Sequence, residues 1–445
     1  MELGETLAQY VADVKLSAVS PSEAKAAKAA ILDQVGVAFA GIGEAPERIL
    51  SGRLARNPAA EASILGRPQK TTTWLAALVN GTLGHSLDFD DTGGFGHPSV
   101  VILPAALATG EYLDCSGGML LEAYVAAYEV GVALGQVVPR KADQLHGLHM
   151  TSVFGPLTSA TASAKIMGLN STRMRYAWGI AASQAGGIIG NFGTHAKPLH
   201  AGIASQAGVL AAELARDDFT ANPNALDAPL GFFYSVVAAG DMDRVDYRTA
   251  LKELGAGHIV STWCLKKYPC GSIAQGAIDA ALRLQGRAPL PMSELSSLEV
   301  RVPHLEPYFQ VAPTGDVSGK FSYQFPVACA LLDGRVTKWS FSDESFQRRE
   351  LQDLLRKSAV AEDPDSRPHG VLTARWPAQE VVQPIEVATG DAGRPVALEE
   401  VRAKYLANVQ PVLGADAAKE TAEMLMALEE MPRIGALMDK LATRP

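Results

Sequence analysis

The stretch NGTLGHSLDFDDTGGFGHPS, residues 80–99, gathers two histidines, three acids and two threonines among glycines in a chain otherwise rich in alanine. Histidine moves protons near neutral pH, and a carboxylate beside it orients the ring or tunes its affinity for a proton. His85, Asp88, Asp91 and Thr92 are three or four positions apart, a spacing that predicts one helical face. Gly93, Gly94 and Gly96 then supply a loop flexible enough to bring His97 back towards them.

Four further segments carry chemistry of the same kind. HGLHMTSVFG holds His146 and His149 just before Thr151, which is placed to cap the next helix, and NFGTHAKPLHAG holds His195, Lys197 and His200. CLKKYPCGS supplies Lys266 and Lys267, and HLEPYF supplies His304. Singly, each has a plain explanation: acids at a helix end form a solvated cap, isolated histidines such as His258 and His369 are structural, and paired lysines are surface charge. Their conjunction changes the weighing. Cations and imidazoles recur beside glycines where helices begin, and helix N-termini favour carboxylates.

The elements that must position these residues are mostly helices. SPSEAKAAKAAILDQVGVAFAG starts with Ser20 as N-cap, Pro21 in the first turn and Glu23 completing a capping box. Further helices are predicted in TTWLAALVNGTLGHSL, GGMLLEAYVAAYEVGVALGQVV, SVFGPLTSATASAKIMGL, TRMRYAWGIAASQAGGIIG and GIASQAGVLAAELARD. Small residues on their faces let helix axes approach closely. The pattern changes near residue 270. A helix in SIAQGAIDAALRLQG leads to SELSSLEVRVPHL, where Leu298, Val300 and Val302 alternate with polar residues as in a strand. A helix in SYQFPVACALLDG, a charged helix in ESFQRRELQDLLRKS and strands in GVLTARWP and VVQPIEVATG follow, before the tail returns to helix. The expectation is a mainly α protein: a large helical domain from residues 1–269 and 396–445, and a smaller α+β domain over 270–395, with the active cleft where they meet.

Composition narrows the function. A net charge of −9 and the lack of a long Lys/Arg cluster argue against a nucleic-acid partner, while an anionic small molecule remains open. Cys115, Cys264, Cys270 and Cys329 show no metal-ligand spacing and read as reduced thiols of a cytoplasmic protein. The N-terminus lacks the basic and apolar pattern of a signal peptide, and no stretch predicts a membrane span. The DFDDT run also matches the acidic signature of protonating isoprenoid cyclases. An aromatic content of 7% and the lack of a second magnesium motif weigh against carbocation chemistry.

Taken in order, NGTLGHSLDFDDT, GHPS, HGLHMTSVFG, KPLHAG and KKYP resemble the MmgE/PrpD family, which includes 2-methylcitrate dehydratases, cis-aconitate decarboxylases and iminodisuccinate epimerases. The resemblance runs from the N-terminal helices to the tail. It implies a homodimer that needs no metal or organic cofactor and acts on a di- or tricarboxylic acid by proton transfer next to a carboxylate. It also implies Asp88, Thr92, His97, His149, Lys197 and Lys266 as site residues. His149 and His97 are then candidates for acid and base, Asp88 for orienting a partner, and Lys266 for stabilising charge. Thr92, Lys197, His200 and Lys267 are candidates for substrate binding. Many relatives carry a histidine a few residues after the YP proline, where this chain has CGSIAQGAID with Gln275. Dehydration, decarboxylation and epimerisation all remain compatible, as does a non-catalytic carboxylate-binding protein.

Overall fold

Ser20 caps the Pro21–Ala40 helix as its sequence predicts: its hydroxyl accepts from Glu23 N at 3.3 Å, and Glu23 accepts from Ser20 N at 2.9 Å. Ser116 and Asn170 cap the Gly117–Gln136 and Ser171–Ala182 helices with a side-chain oxygen that accepts from Met119 N and Arg173 N. The computed structural model describes residues 3–54, 59–137, 145–238, 245–286, 291–306, 308–309 and 313–442. The protein is mainly α, with a smaller α+β part.

Helices Thr73–His85, Pro98–Leu113, Met150–Ile166 and Ala196–Arg216 meet almost backbone to backbone. A Cβ added at Gly81 would stand 3.0 Å from Gly202 Cα, and one at Gly155 would stand 3.0 Å from Val101. Glycine, alanine and serine at these crossings therefore set the helix spacing. Because Gly81 faces Gly202, the C-terminal end of Thr73–His85 meets the N-terminal end of Ala196–Arg216, where Lys197 and His200 sit.

One apolar core gathers side chains from Leu3 to Leu265 and again from Val401 to Leu441. The closing Leu398–Leu413 helix lies against Pro21–Ala40, with Tyr405 Cα 3.0 Å from where a Cβ on Gly36 would be. A second core gathers side chains from Tyr268 to Ile385. The handover falls at Lys266 and Lys267. The helix Gly117–Gln136 is long and apolar enough to cross a membrane, and 83% of its apolar window is buried inside the protein.

Two short strands, β1 (Ala62–Ser63) and β2 (Lys70–Thr71), pair antiparallel. The second part holds a four-stranded sheet of β3 (Ser297–Val302), β4 (Ser358–Glu362), β5 (Val371–Trp376) and β6 (Gln379–Pro384), in the order β4-β3-β5-β6. Strands β3 and β4 run parallel, while β5 pairs antiparallel with β3 and β6. Leu298, Val300, Val302, Leu372, Ala374 and Trp376 are buried in a common core with helices Gln275–Gln285 and Gln324–Asp333. Two expectations change. ESFQRRELQDLLRKS forms two short helices, Asp343–Phe346 and Arg349–Arg356, because Arg348 is extended between them. Strand β4 adds to the expected strands: SAVAE is short and mostly partly exposed, so it carries little apolar alternation.

Candidate active site

The Thr73–His85 helix stops at His85, and Asp88 takes a left-handed backbone at φ 50°. That turn corrects the expected single helical face for His85, Asp88, Asp91 and Thr92, since the three acids leave the chain in different directions. Lys197 Nζ donates to Asp88 Oδ1, and Lys266 Nζ donates to the same oxygen at 3.0 Å and to the Asp88 carbonyl at 2.9 Å. Asp90 lies between His85 and His97. Asp91 accepts from Ser99 N at 3.2 Å and from the Ser99 hydroxyl, which is itself 2.5 Å from Tyr124 OH.

The glycine loop does bring His97 back. Gly93 and Gly96 exchange backbone hydrogen bonds of 2.9 and 3.0 Å, and His97 Nε2 ends 3.9 Å from Asp88 Oδ1. Thr151 is not the cap of its helix. His149 occupies that position, and the Thr151 hydroxyl instead accepts from His97 N at 3.1 Å, joining two of the motifs. His149 packs at 6.0 Å from the His85 ring and 6.1 Å from the His97 ring, with its Nδ1 3.3 Å from His200 Nδ1.

Other candidates lie apart. Thr92 pairs through its backbone with Cys264, at 2.9 and 2.8 Å, and so stitches DFDDT to the strand of chain leading into Lys266. Lys266 is buried and its neighbour Lys267 is exposed, so Lys267 does not join the cluster. His195 is exposed at the cavity wall, and His304 is exposed and pairs with Glu362 at 3.3 Å. Gln275 plays a structural part, since its amide oxygen accepts from Lys267 N and Tyr268 N at 3.0 Å each, and its nitrogen donates to Tyr268 O at 2.9 Å. It holds the turn that presents Lys266.

A cavity of about 540 Å³ opens at the seam between the two cores. His85, Asp88 and Lys197 lie on its helical side, and Lys320, Phe321 and Lys338 come from the second part. Among its described lining residues are four Lys/Arg side chains, Arg48, Lys197, Lys320 and Lys338, against three carboxylates, Glu44, Asp88 and Asp343. This is a cationic excess on a chain of net charge −9.

Burial and charge set the protonation states. Burial opposes the Asp88 carboxylate, but Lys197 and Lys266 outweigh it and hold the group ionised well below the usual range. Burial lowers the His85 pKa to about 3 despite Asp90. It also lowers those of His97 and His149, with Lys197 adding to the effect on His149. The neutral form of each imidazole is therefore favoured, while burial lowers the Lys197 pKa against the opposing pull of Asp88. Nitrogens of His85, His97 and His149 lie within 4.8 Å of one another, a spacing compatible with a divalent ion. Asp88 and Asp90 join His85 and His97 in a second such group; Asp90 favours positive charge at these two rings, and Lys197 opposes it at all three.

Several residues here escaped sequence reasoning. Lys404, from the closing helix, donates to Phe89 O at 3.0 Å and Lys266 O at 2.9 Å and pairs with buried Asp33 at 2.8 Å. It ties the loop carrying Asp88 to the segment carrying Lys266. Tyr308 of HLEPYF packs 5.0 Å from Phe192, whose ring lies 4.9 Å from His149 and 5.4 Å from Lys197 Nζ. An acid inside the apolar ILDQVGVAF run of the Pro21–Ala40 helix was the available signal for Asp33. Lys404 sits among ordinary helix charges and carried none.

The model of the MmgE/PrpD N-terminal domain matches residues 5–244, and that of the MmgE/PrpD C-terminal domain matches residues 268–430. The chain belongs to the MmgE/PrpD family, as a lyase of that type. Its MmgE/PrpD relatives include cis-aconitate decarboxylase of Mus musculus, 28% identical over 96% of this chain and 91% of the relative. The Homo sapiens enzyme of that name is 28% identical over 96% and 92%, and that of Aspergillus terreus 24% identical over 93% and 91%.

Proposed function

We propose that the protein removes carbon dioxide or water from a di- or tricarboxylic acid bound in the seam cavity, with cis-aconitate the first candidate substrate. The observation that carries this reading is Asp88 held by two buried lysines beside neutral imidazoles, at the wall of a cavity with excess positive charge. Lys197 and the rim lysines neutralise substrate carboxylates, and Lys266 supports charge that develops after bond cleavage. Thr92 acts by holding its loop, and His200 by hydrogen bonding His149.

In decarboxylation the carbon–carbon bond to one carboxylate breaks, carbon dioxide leaves, and the electron pair stays on a carbon conjugated with a remaining carboxylate. A proton then completes that carbon. His149 is the proposed donor, because a bound polyanion offsets Lys197 and raises the affinity of the ring for a proton. In dehydration a neutral imidazole takes the proton next to a carboxylate, and a protonated group accompanies the leaving hydroxyl. The lysines supply the positive charge in this scheme, so activity is expected to survive a chelator. A homodimer is the expected assembly, checked by light scattering.

Incubating the protein with cis-aconitate and with hydroxytricarboxylates in deuterium oxide tests the reading. NMR should show one of them losing carbon dioxide, with deuterium entering at the carbon that takes up the proton, or losing water, with deuterium entering recovered substrate where proton removal reverses. Binding without turnover or exchange across the panel would leave a carboxylate-binding protein instead.

A further inference from the structure

Asp90, the middle acid of DFDD, is engaged differently from Asp88. Its fully buried carboxylate lies between two imidazoles: His85 Nδ1 is 2.8 Å from Oδ1 and 2.9 Å from Oδ2, and His97 Nδ1 is 2.9 Å from Oδ2. The Asp91 carbonyl stands 3.0 Å from the same His97 nitrogen. Carboxylate and carbonyl oxygens only accept hydrogen bonds, so both Nδ1 atoms must carry the proton. In a neutral ring that leaves Nε2 with a bare lone pair. His85 Nε2 is buried without a hydrogen-bond partner, and His85 is among the residues that border the seam cavity, its side chain just behind the cavity surface. A buried acceptor left bare is unfavourable until something entering the cavity satisfies it.

We propose that Asp90 is a positioning residue that locks His85 and His97 as Nδ1–H tautomers, and that His85 Nε2 accepts a hydrogen bond from the bound substrate. The role of His85 rests on the reading of this cavity as the lyase site; the tautomers do not. Burial, which keeps both rings neutral, supports the assignment. A single carboxylate thus faces the Nδ1 atoms of two rings, of which His85 borders the cavity, as the acid of a nucleophile–histidine–acid triad faces one.

Asp90→Asn separates positioning from bulk. One oxygen becomes an amide nitrogen, and because both carboxylate oxygens lie within 2.9 Å of His85 Nδ1, a donor then faces that Nδ1–H whichever way the amide is turned. His97 retains the Asp91 carbonyl, so His85 is the ring expected to move its proton to Nε2. Nitrogen-15 NMR of the histidine-labelled full chain at neutral pH reads this directly, with the rings assigned through His85→Gln and His97→Gln. The wild type should show both rings as Nδ1–H tautomers, and Asp90→Asn should show His85 as Nε2–H. In turnover, Asp90→Asn should lower kcat about 100-fold with KM within about threefold, and His85→Gln should retain more activity than His85→Leu. A wild-type spectrum with either ring protonated at Nε2 overturns the proposal, and so does an Asp90→Asn protein with wild-type kcat. Should Asp90→Asn fail to fold, the wild-type tautomers decide alone. They also stand apart from the lyase reading, because they require no substrate.

Discussion

Two buried acid–lysine clusters adjoin each other in the helical part, and they are built for different ends. Asp88 takes two lysines, Lys197 and Lys266, and lines the cavity. Asp33 takes one, Lys404, whose remaining hydrogens are directed at the carbonyls of Phe89 and Lys266. The first cluster borders the cavity through Asp88 and Lys197, and the ligand-binding role proposed for it rests on that position. The second directs its lysine to two carbonyls and one carboxylate and serves as the brace behind the first. Burial alone does not distinguish a structural ion pair from a functional one; what the cations have left to bind does.

That contrast is open to breaking, beginning with the brace. Lys404→Met leaves Asp33 buried and uncompensated, and denaturant unfolding should show a loss of about 3–5 kcal/mol. Replacing both partners, Asp33→Leu with Lys404→Met, should recover most of it, since two apolar groups remove the stranded charge. If Lys404→Met melts like the wild type, the brace is not structural. Next comes Lys197→Ala, which should weaken binding of a tricarboxylate by about 2–5 kcal/mol in calorimetry, because a desolvated charge pair loses one member. Lys197→Arg should restore little where a compact ammonium fits and a planar fork does not. Unchanged affinity in Lys197→Ala would move the carboxylate clamp elsewhere.

A smaller effect comes from Asp91, which neighbours both clusters. Burial raises its pKa to about 7. The folded state therefore keeps a proton that the unfolded chain has lost between about pH 4 and 7, and stability falls as pH rises through that window. Asp91→Asn removes the penalty: it should be the more stable protein by about 1–3 kcal/mol at pH 8 and close to the wild type at pH 5. Equal pH dependence of the two melting curves would show Asp91 to be ionised throughout. The smallest expected effect is at exposed Lys267, where Lys267→Ala should change stability and tricarboxylate affinity by less than about 0.5 kcal/mol. Its neighbour Lys266 should be far less tolerant.

The legible parts of this architecture were those with local or periodic signals. The Ser20 capping box, the alternating Leu298–Val302 strand and the small-residue helices follow from neighbouring residues in the chain. The motifs also named most of the cluster correctly as neighbours: Asp88, His97, His149, Lys197, His200 and Lys266 do converge. Asp88 and Lys266 lie 178 positions apart, so their meeting could be read only through the resemblance. What stayed hidden depended on backbone direction or on distant partners. The left-handed turn at Asp88 reversed the expected helical face, a choice made by tertiary contacts where spacing alone favours a helix. Lys404 and Tyr308 came from segments whose own sequences resemble any charged helix or polar loop. Only the resemblance favoured Lys266 over Lys267, because the Gln275 clamp on the backbone of Lys267 and Tyr268 exists only in the fold.

The most direct test of the seam cavity as a lyase site is paired measurement of turnover and binding in His149→Ala with cis-aconitate. The ring is buried among His85, His97 and Phe192 and is the proposed proton donor. The account predicts a loss of kcat of roughly 10²- to 10⁴-fold with Kd within about threefold of the wild type. A folded His149→Ala protein that turns over cis-aconitate at the wild-type rate would contradict it.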